Sequence, residues 1–383
     1  MSYILNISTA VPEFQIPKED LKRFYLQALN PDEKDHFIKK IDVLNNKTKI
    51  NTRYSCIPDY KGINYELYTH GNFKQPIEKR MALYKEKVMP LASKAIDNLF
   101  AQSNLQACDY THLITVSCTG LMAPGLEFLI AEKYGLEHTE KSAVNFLGCY
   151  AALKALKQAH YIVQAKPSAC ILIVSVELCS LHFYPSEANE DIVANLLFAD
   201  GAAAVTVCGN KNEHAKNKIV LNIDDIGSAS IPHTSELMKW DITSTAFRMH
   251  LSTKVVNAIK NNIHEAVINF IETKTSETNY WAIHPGGVKI VEAVQESLQL
   301  NKDQVEDSMS ILQQYGNMSS ATILFILNNI FNKIKKSAPA QNQNIFSCAF
   351  GPGLNIEMVS LSSLDTSKPN KINPTVQNHV LEA

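Results

Sequence analysis

No apolar run in this 383-residue chain approaches the roughly 18 residues that a membrane-spanning helix needs. The richest, Ala169–Leu181, is broken by Glu177. The segment Met1–Val11 lacks a basic stretch followed by an apolar one, so no secretory signal is expected. Net charge is nearly absent: 36 Lys and Arg stand against 38 Asp and Glu, a formal −2. With no basic stripe either, nucleic acid is not an expected partner. The eight cysteines (56, 108, 118, 149, 170, 179, 208 and 348) contain no CxxC pair and no Cys/His cluster at zinc spacing. Neither a disulfide framework nor a metal site is expected. In a reducing compartment each cysteine defaults to a small buried hydrophobe unless its local context says otherwise. The expectation is a cytoplasmic globular protein with no membrane partner.

Apolar residues make up 45% of the chain and charged residues 19%, enough for a substantial core. After a short strand at Tyr3–Ile7 and Lys/Glu-rich helical segments, notably Pro76–Gln102, strand and helix patterns alternate. Strands are predicted at His112–Val116, Cys170–Val176, Ala203–Cys208, Ile219–Ile223, Tyr280–His284, Ile345–Ala349 and Ile356–Leu361. Helices are predicted at Gly125–Tyr134, Ala151–Gln164, Ser252–Thr273, Val288–Leu298 and Ser319–Lys335. Such alternation indicates α/β layering. From Ser363 onward the sequence turns polar, with two prolines and no period, and reads as a loose tail.

An internal echo runs through this pattern. The strand His112–Val116 leads into Ser117-Cys118-Thr119-Gly120 and a helix, and Gly148-Cys149 opens the next helix. The strand ending at His284 leads into Pro285-Gly286-Gly287 and a helix, and Gly316-Asn317 opens the next. His284 stands 166 residues after Cys118, and Asn317 stands 168 after Cys149. The spacing predicts a pseudo-twofold duplicated core, with halves 1–215 and 216–363 and a tail at 364–383.

Three residues at equivalent ends of these halves carry the candidate chemistry. Cys149 sits where a helix opens, so unpaired N–H groups and the helix dipole would stabilise its thiolate. His284 ends a strand before a glycine pair, where α/β folds place ligands. Asn317 reads equally as a helix N-cap. Cys-His-Asn in that order also occurs in papain-like proteases, in a different local sequence.

The surroundings of all three decide the matter. Gly148-Cys149-Tyr150-Ala151, Ile283-His284-Pro285-Gly286-Gly287 and Tyr315-Gly316-Asn317-Met318-Ser319-Ser320 resemble the active-site motifs of type III polyketide synthases, the chalcone synthase-like family. So do Phe198-Ala199-Asp200-Gly201 and the loop Gly351-Pro352-Gly353, with Ala349 where that loop normally begins with Gly. The similarity runs in order from residue 3 to 361. It implies a thiolase-like fold of five layers, α-β-α-β-α, and a homodimer. It also implies decarboxylative condensation of malonyl-CoA onto an acyl-CoA starter, repeated on Cys149, without metal or redox cofactor, and cyclisation to a pyrone or phenolic product. His284 and Asn317 would hold the thioester oxygen.

The resemblance further places Phe198, Met249, Trp240, Cys118, Thr119, Cys179, His182 and Ser319 around the substrate cavity, beside Gly351, Pro352 and Gly353. Coenzyme A would meet Lys40, Lys47, Gly286 and Gly287, with Val43 at a third position that is usually basic; Lys39 and Lys49 are spare lysines nearby. Trp240 stands where plant enzymes carry a glycine and would fill elongation space, and with Cys118 it looks more like bacterial members. Two other classes compete: a ketoacyl synthase III-type enzyme that condenses once with a carrier protein, and a non-catalytic binder on the same fold.

Overall fold

A computed structural model describes residues 1–29, 34–68, 72–271, 277–337, 339 and 341–368. The first half opens with β1 (Ser2–Ala10). Two short paired strands follow, β2 (Phe14–Pro17) and β3 (Thr52–Ser55), with helices α1 (Lys18–Gln27) and α2 (Lys34–Thr48) between them. Then come α3 (Ile77–Ala101), β4 (His112–Ser117), α4 (Leu126–Tyr134), β5 (Glu140–Asn145), α5 (Ala151–Ala165), β6 (Cys170–Leu178), α6 (Asn189–Leu197) and β7 (Asp200–Gly209). The second half runs β8 (Ile219–Ser230), the hairpin of β9 (Met238–Ile242) and β10 (Phe247–Leu251), α7 (Lys254–Ile271), β11 (Tyr280–Ile283), α8 (Val288–Ser297), α9 (Glu306–Tyr315), α10 (Thr322–Ser337), β12 (Asn344–Gly351) and β13 (Asn355–Asp365).

The main strands form one hydrogen-bonded series, β11-β12-β13-β8-β1-β7-β6-β4-β5. Its two halves mirror each other about the β8–β1 step: β1, β7, β6 and β4 match β8, β13, β12 and β11 in order and in parallel or antiparallel sense. Only Ser2–Ile4 of β1 pair with β8, so the half-sheets part beyond that point. Helices α5 and α10 fill the space between them, packing on strands of both halves. Helix α3 covers β1, β6 and β7 on one outer face, and α7 and α8 cover the opposite one. The result is five layers, α-β-α-β-α.

Alternation along the strands divides the apolar residues among these interfaces. Leu5 of β1 and Leu172 of β6 join Ile96 of α3 in an outer core. Their neighbours Ile4 and Ile171 face inward with Leu156 and Ile326. Val255, Ile259, Trp281 and Phe346 build the other outer core. Strand β6 is buried at every position, as expected of a strand covered on both faces. Glu177 alone puts a carboxyl group into it.

The structure departs from the sequence reading in identifiable places. Strand β5 is an edge strand of sequence EKSAVN and carries too few apolar residues to show. The helix expected from Ser319 starts with a tight turn at Ser319–Ala321 before α10. The helix expected at Ser252–Thr273 is α7, and residues 272 and 273 lie outside the described residues. Residues 363–365, expected in the loose tail, belong to β13: Ser363 N–H bonds the Gln343 carbonyl, and Asp365 pairs with Ile219. The rest of the tail, from 369, lies outside the described residues.

Candidate active site

The duplicated topology delivers its functional residues to one place. Strand β4 ends at Ser117 and hands over to Cys118, just as β11 ends at Ile283 and hands over to His284. Cys149 lies in the turn Gly148–Tyr150 that enters α5, and Asn317 lies in the turn that leads to α10. Gly148 takes φ +73°, and a Cβ there would meet the Pro352 ring at 2.7 Å. The Gly351-Pro352-Gly353 loop thus closes directly over the turn that carries Cys149, which only glycine at 148 permits.

Cys149 Sγ lies 4.0 Å from both Oδ1 and Nδ2 of Asn317 and 3.8 Å from Ser319 Oγ. Asn317 Oδ1 accepts the Ser319 N–H at 2.9 Å and the Thr322 hydroxyl at 3.4 Å. Those bonds fix the amide so that its Nδ2 donor faces the Cys149 sulfur. Both ring nitrogens of His284 are buried and have no hydrogen-bond partner among the described residues. Cys149, His284 and Asn317 line one cavity of about 780 Å³, with Phe198, Met249 and Phe350 in its wall.

The electrostatics differ from the expected thiolate. Burial pushes the Cys149 thiol up to about 12, although contacts with Ser319 and Asn317 pull the other way. Burial also pushes the His284 imidazole down to about 3. Cys149 sits before the first full turn of α5 and has no cation beside it among the described residues, so desolvation outweighs the helix terminus. Each group is disfavoured as a separate ion. Both groups are held toward their neutral forms in the same cavity.

Beneath the site lies a carboxylate that motif reading passed over. Glu177 Oε2 accepts the Cys118 N–H and the Thr119 hydroxyl, each at 2.9 Å, and Oε1 accepts the Ser320 hydroxyl. Cys118 Sγ in turn accepts the Gly148 N–H at 3.1 Å. Cys118 therefore braces the turn that carries Cys149, Thr119 is tied to Glu177 and Leu178, and neither lines the large cavity. The break in the apolar run of β6 was the signal for Glu177.

Burial raises Glu177 to about 7. Its folded pKa exceeds its unfolded one, so its contribution to stability is complete below about 4.5 and is lost as pH rises through about 7. Wild-type protein is expected to lose a few degrees of melting temperature between pH 5.5 and 8 through this group. Glu177→Gln should remove that part of the slope, leaving that of Asp200, which burial raises to about 6. Identical slopes in both proteins would show that Glu177 does not titrate there.

The other sequence-derived residues divide by location. Cys179, His182 and Trp240 line a second, smaller cavity, and Phe198 and Met249 line both. His182 spends both nitrogens on the backbone, Nε2 on Thr119 O and Nδ1 on Phe247 N–H, and stacks on the Phe247 ring. Trp240 donates Nε1–H to Cys118 O at 2.7 Å and meets His182 and Phe247 edge-on. Lys47, Gly286 and Gly287 lie on the large cavity, where Lys49 and Lys289 join them. Lys40 does not; it donates to the Glu187 carbonyl at 2.5 Å. Val43 is exposed to solvent.

A cysteine, a histidine and an asparagine, contributed by two equivalent halves of a thiolase-like fold, converge on one cavity. Comparison with known proteins carries this to a family. Residues 1–211 match the N-terminal domain of the chalcone and stilbene synthases, and residues 225–365 match their C-terminal domain. Type III polyketide synthase A of Arabidopsis thaliana is 29% identical, over 95% of this chain and 93% of that protein. The putative chalcone synthase of Bacillus subtilis is 28% identical, over 94% of this chain and 99% of that one. Probable polyketide synthase 1 of Dictyostelium discoideum is 28% identical over 93% of this chain, which spans only 11% of that much longer protein. The crystal structure of PKS-I from the brown alga Ectocarpus siliculosus superposes with a TM-score of 0.87 at 26% identity, covering 95% of this chain and 98% of that one. The chain belongs to the chalcone and stilbene synthase family, the type III polyketide synthases, and is an acyltransferase of that class.

Proposed function

We propose that the protein condenses malonyl-CoA units, with loss of CO2, onto an acyl-CoA starter held on Cys149, and repeats the step before the product cyclises. Cys149 sulfur attacks the starter thioester, the thiol proton passes to His284, and coenzyme A leaves. Malonyl-CoA then binds with its thioester oxygen against His284 and Asn317 Nδ2. The bond to its carboxylate breaks, CO2 departs, and the electron pair delocalises onto that oxygen as an enolate, which the two donors stabilise. The enolate carbon attacks the acyl group on Cys149 and releases the sulfur. Lys47, Lys49 and Lys289 would face the coenzyme A phosphates, with Lys49 and Lys289 replacing Lys40 and the missing base at Val43. No metal or redox cofactor enters these steps. The proposal includes a homodimer, for which exposed Leu121 and Phe128 offer apolar surface.

The observation that carries this reading is that all three polar residues line a single cavity large enough for an acyl chain. The test is turnover of malonyl-CoA with aromatic, short and long acyl-CoA starters in the absence of any carrier protein, read by mass spectrometry. Extended products support it; turnover only with malonyl-carrier protein, and only once, favours the ketoacyl synthase III alternative.

Trp240, with His182 and Phe247, forms the aromatic floor that would limit elongation. Trp240→Gly is expected to lengthen the product or admit a larger starter, with a stability loss of about 2–4 kcal/mol for the removed indole. Product masses and a melting curve check this. Unchanged product length with that stability loss would make the indole a packing element alone.

A further inference from the structure

Two arginines are buried in this protein, and they are treated very differently. Arg80 is fully covered and well satisfied: Nε donates to Gln75 O at 3.3 Å, Nη1 to Tyr68 Oη at 2.9 Å and Phe183 O at 3.2 Å, and Nη2 to Phe73 O at 3.4 Å. Arg53, on β3, is 3% exposed, and its single hydrogen bond is a stretched 3.5 Å contact from Nη1 to Asn195 O. Its Nε and Nη2 have no partner among the described residues. Those two nitrogens form the side edge of the guanidinium, whose parallel N–H bonds match the two oxygens of a carboxylate. Burying such an edge unpaired is costly, so the fold needs a reason to keep it.

Arg53 lines the smaller cavity, which offers about 40 Å³, room for a few waters or a carboxylate. Phe198 and Met249 stand in the walls of both this cavity and the one containing Cys149. An acyl chain on Cys149 would have to pass between these two side chains to meet Arg53. The cavity's own carboxylate is already spent: both oxygens of Asp191 are held by Arg248, at 3.2 and 2.9 Å. His182 is also in the wall, and burial keeps it neutral, with a pKa of about 3. Among the described residues, Arg53 is thus a buried cation in this cavity with no carboxylate paired to it.

We propose that Arg53 is a specificity residue that binds a distal carboxylate, so that the enzyme accepts the monothioester of a dicarboxylic acid as starter. The inference rests on the acyl transfer to Cys149 described above. In that transfer the Cys149 sulfur bonds to the acyl carbon, the carbon–sulfur bond to coenzyme A breaks, and the leaving thiolate takes up the thiol proton. The distal carboxylate is unchanged throughout.

The experiment compares succinyl-, glutaryl-, adipoyl- and pimeloyl-CoA with neutral acyl-CoAs of matching length, in which a methyl group replaces the carboxylate. The rate of Cys149 acylation is read by intact-protein mass, with malonyl-CoA extension of the neutral starters followed separately. At least one diacid chain should acylate Cys149 faster than its neutral counterpart. In Arg53→Met that preference ratio should fall by about 30-fold, the scale of a lost charge-assisted pair, and Arg53→Lys should restore part of it. A structural role would slow both series together and leave the ratio unchanged, which overturns the proposal. Should Arg53→Met not fold, the wild-type ratio decides: no diacid preference at any length also overturns it. Extension of neutral starters alongside that failure would leave the condensing function intact.

Discussion

Cys149→Ala is expected to reduce polyketide formation by at least about 10⁴-fold, because no other group in the large cavity can hold the growing chain as a thioester. Loss of CO2 from malonyl-CoA should continue in the same variant, since His284 and Asn317 remain to stabilise the enolate. The measurement is product mass alongside CO2 release. Polyketide made at a wild-type rate without Cys149 would refute the covalent mechanism. The ionisation of the thiol supplies a companion test. With burial holding it near 12, inactivation by iodoacetamide should climb steadily as pH rises above neutrality. A plateau reaching into mildly acidic pH would instead show that Cys149 and His284 rest as an ion pair.

The second large effect concerns the enolate. His284→Ala and Asn317→Ala should each slow malonyl-CoA decarboxylation by about 10²–10³-fold, the usual cost of losing one donor to a developing oxyanion. The double variant should lose less than the product of the two, because both donors serve one oxygen. His284→Ala should also slow acylation of Cys149, as it removes the proton acceptor, whereas Asn317→Ala should affect acylation much less. Equal losses in both half-reactions for both variants would contradict this division of labour. Circular dichroism and melting curves separate it from misfolding, since Asn317 also accepts bonds from Ser319 and Thr322.

Much of this architecture was legible in local patterns. The apolar runs of β6 and β12 read as buried strands because both of their faces are covered, so every position favours an apolar residue. The Gly148-Cys149 and Gly316-Asn317 turns were visible because glycine before a helix marks backbone that other residues avoid, and both glycines take φ +73°. Strand β5 escaped notice because an edge strand needs few apolar residues. The β9–β10 hairpin carries Met238, Trp240 and Met249 without a turn dipeptide that would flag it.

Within the site the division is sharper. The sequence by itself determined the layered, duplicated α/β plan and the three residues at its equivalent ends, since periodicity and turn chemistry act over a few neighbours. Tertiary structure alone decided which of the remaining polar residues meet the two cavities. It turned Lys40 toward Glu187 and brought Lys49 and Lys289 to the large cavity. It spent His182 on two backbone groups and set Trp240 edge-on against it in the smaller cavity. It also left the Arg53 edge unpaired among the described residues and drove Cys149 and His284 toward their neutral forms. Desolvation depends on how much distant chain closes over a group, and no local run of residues records that.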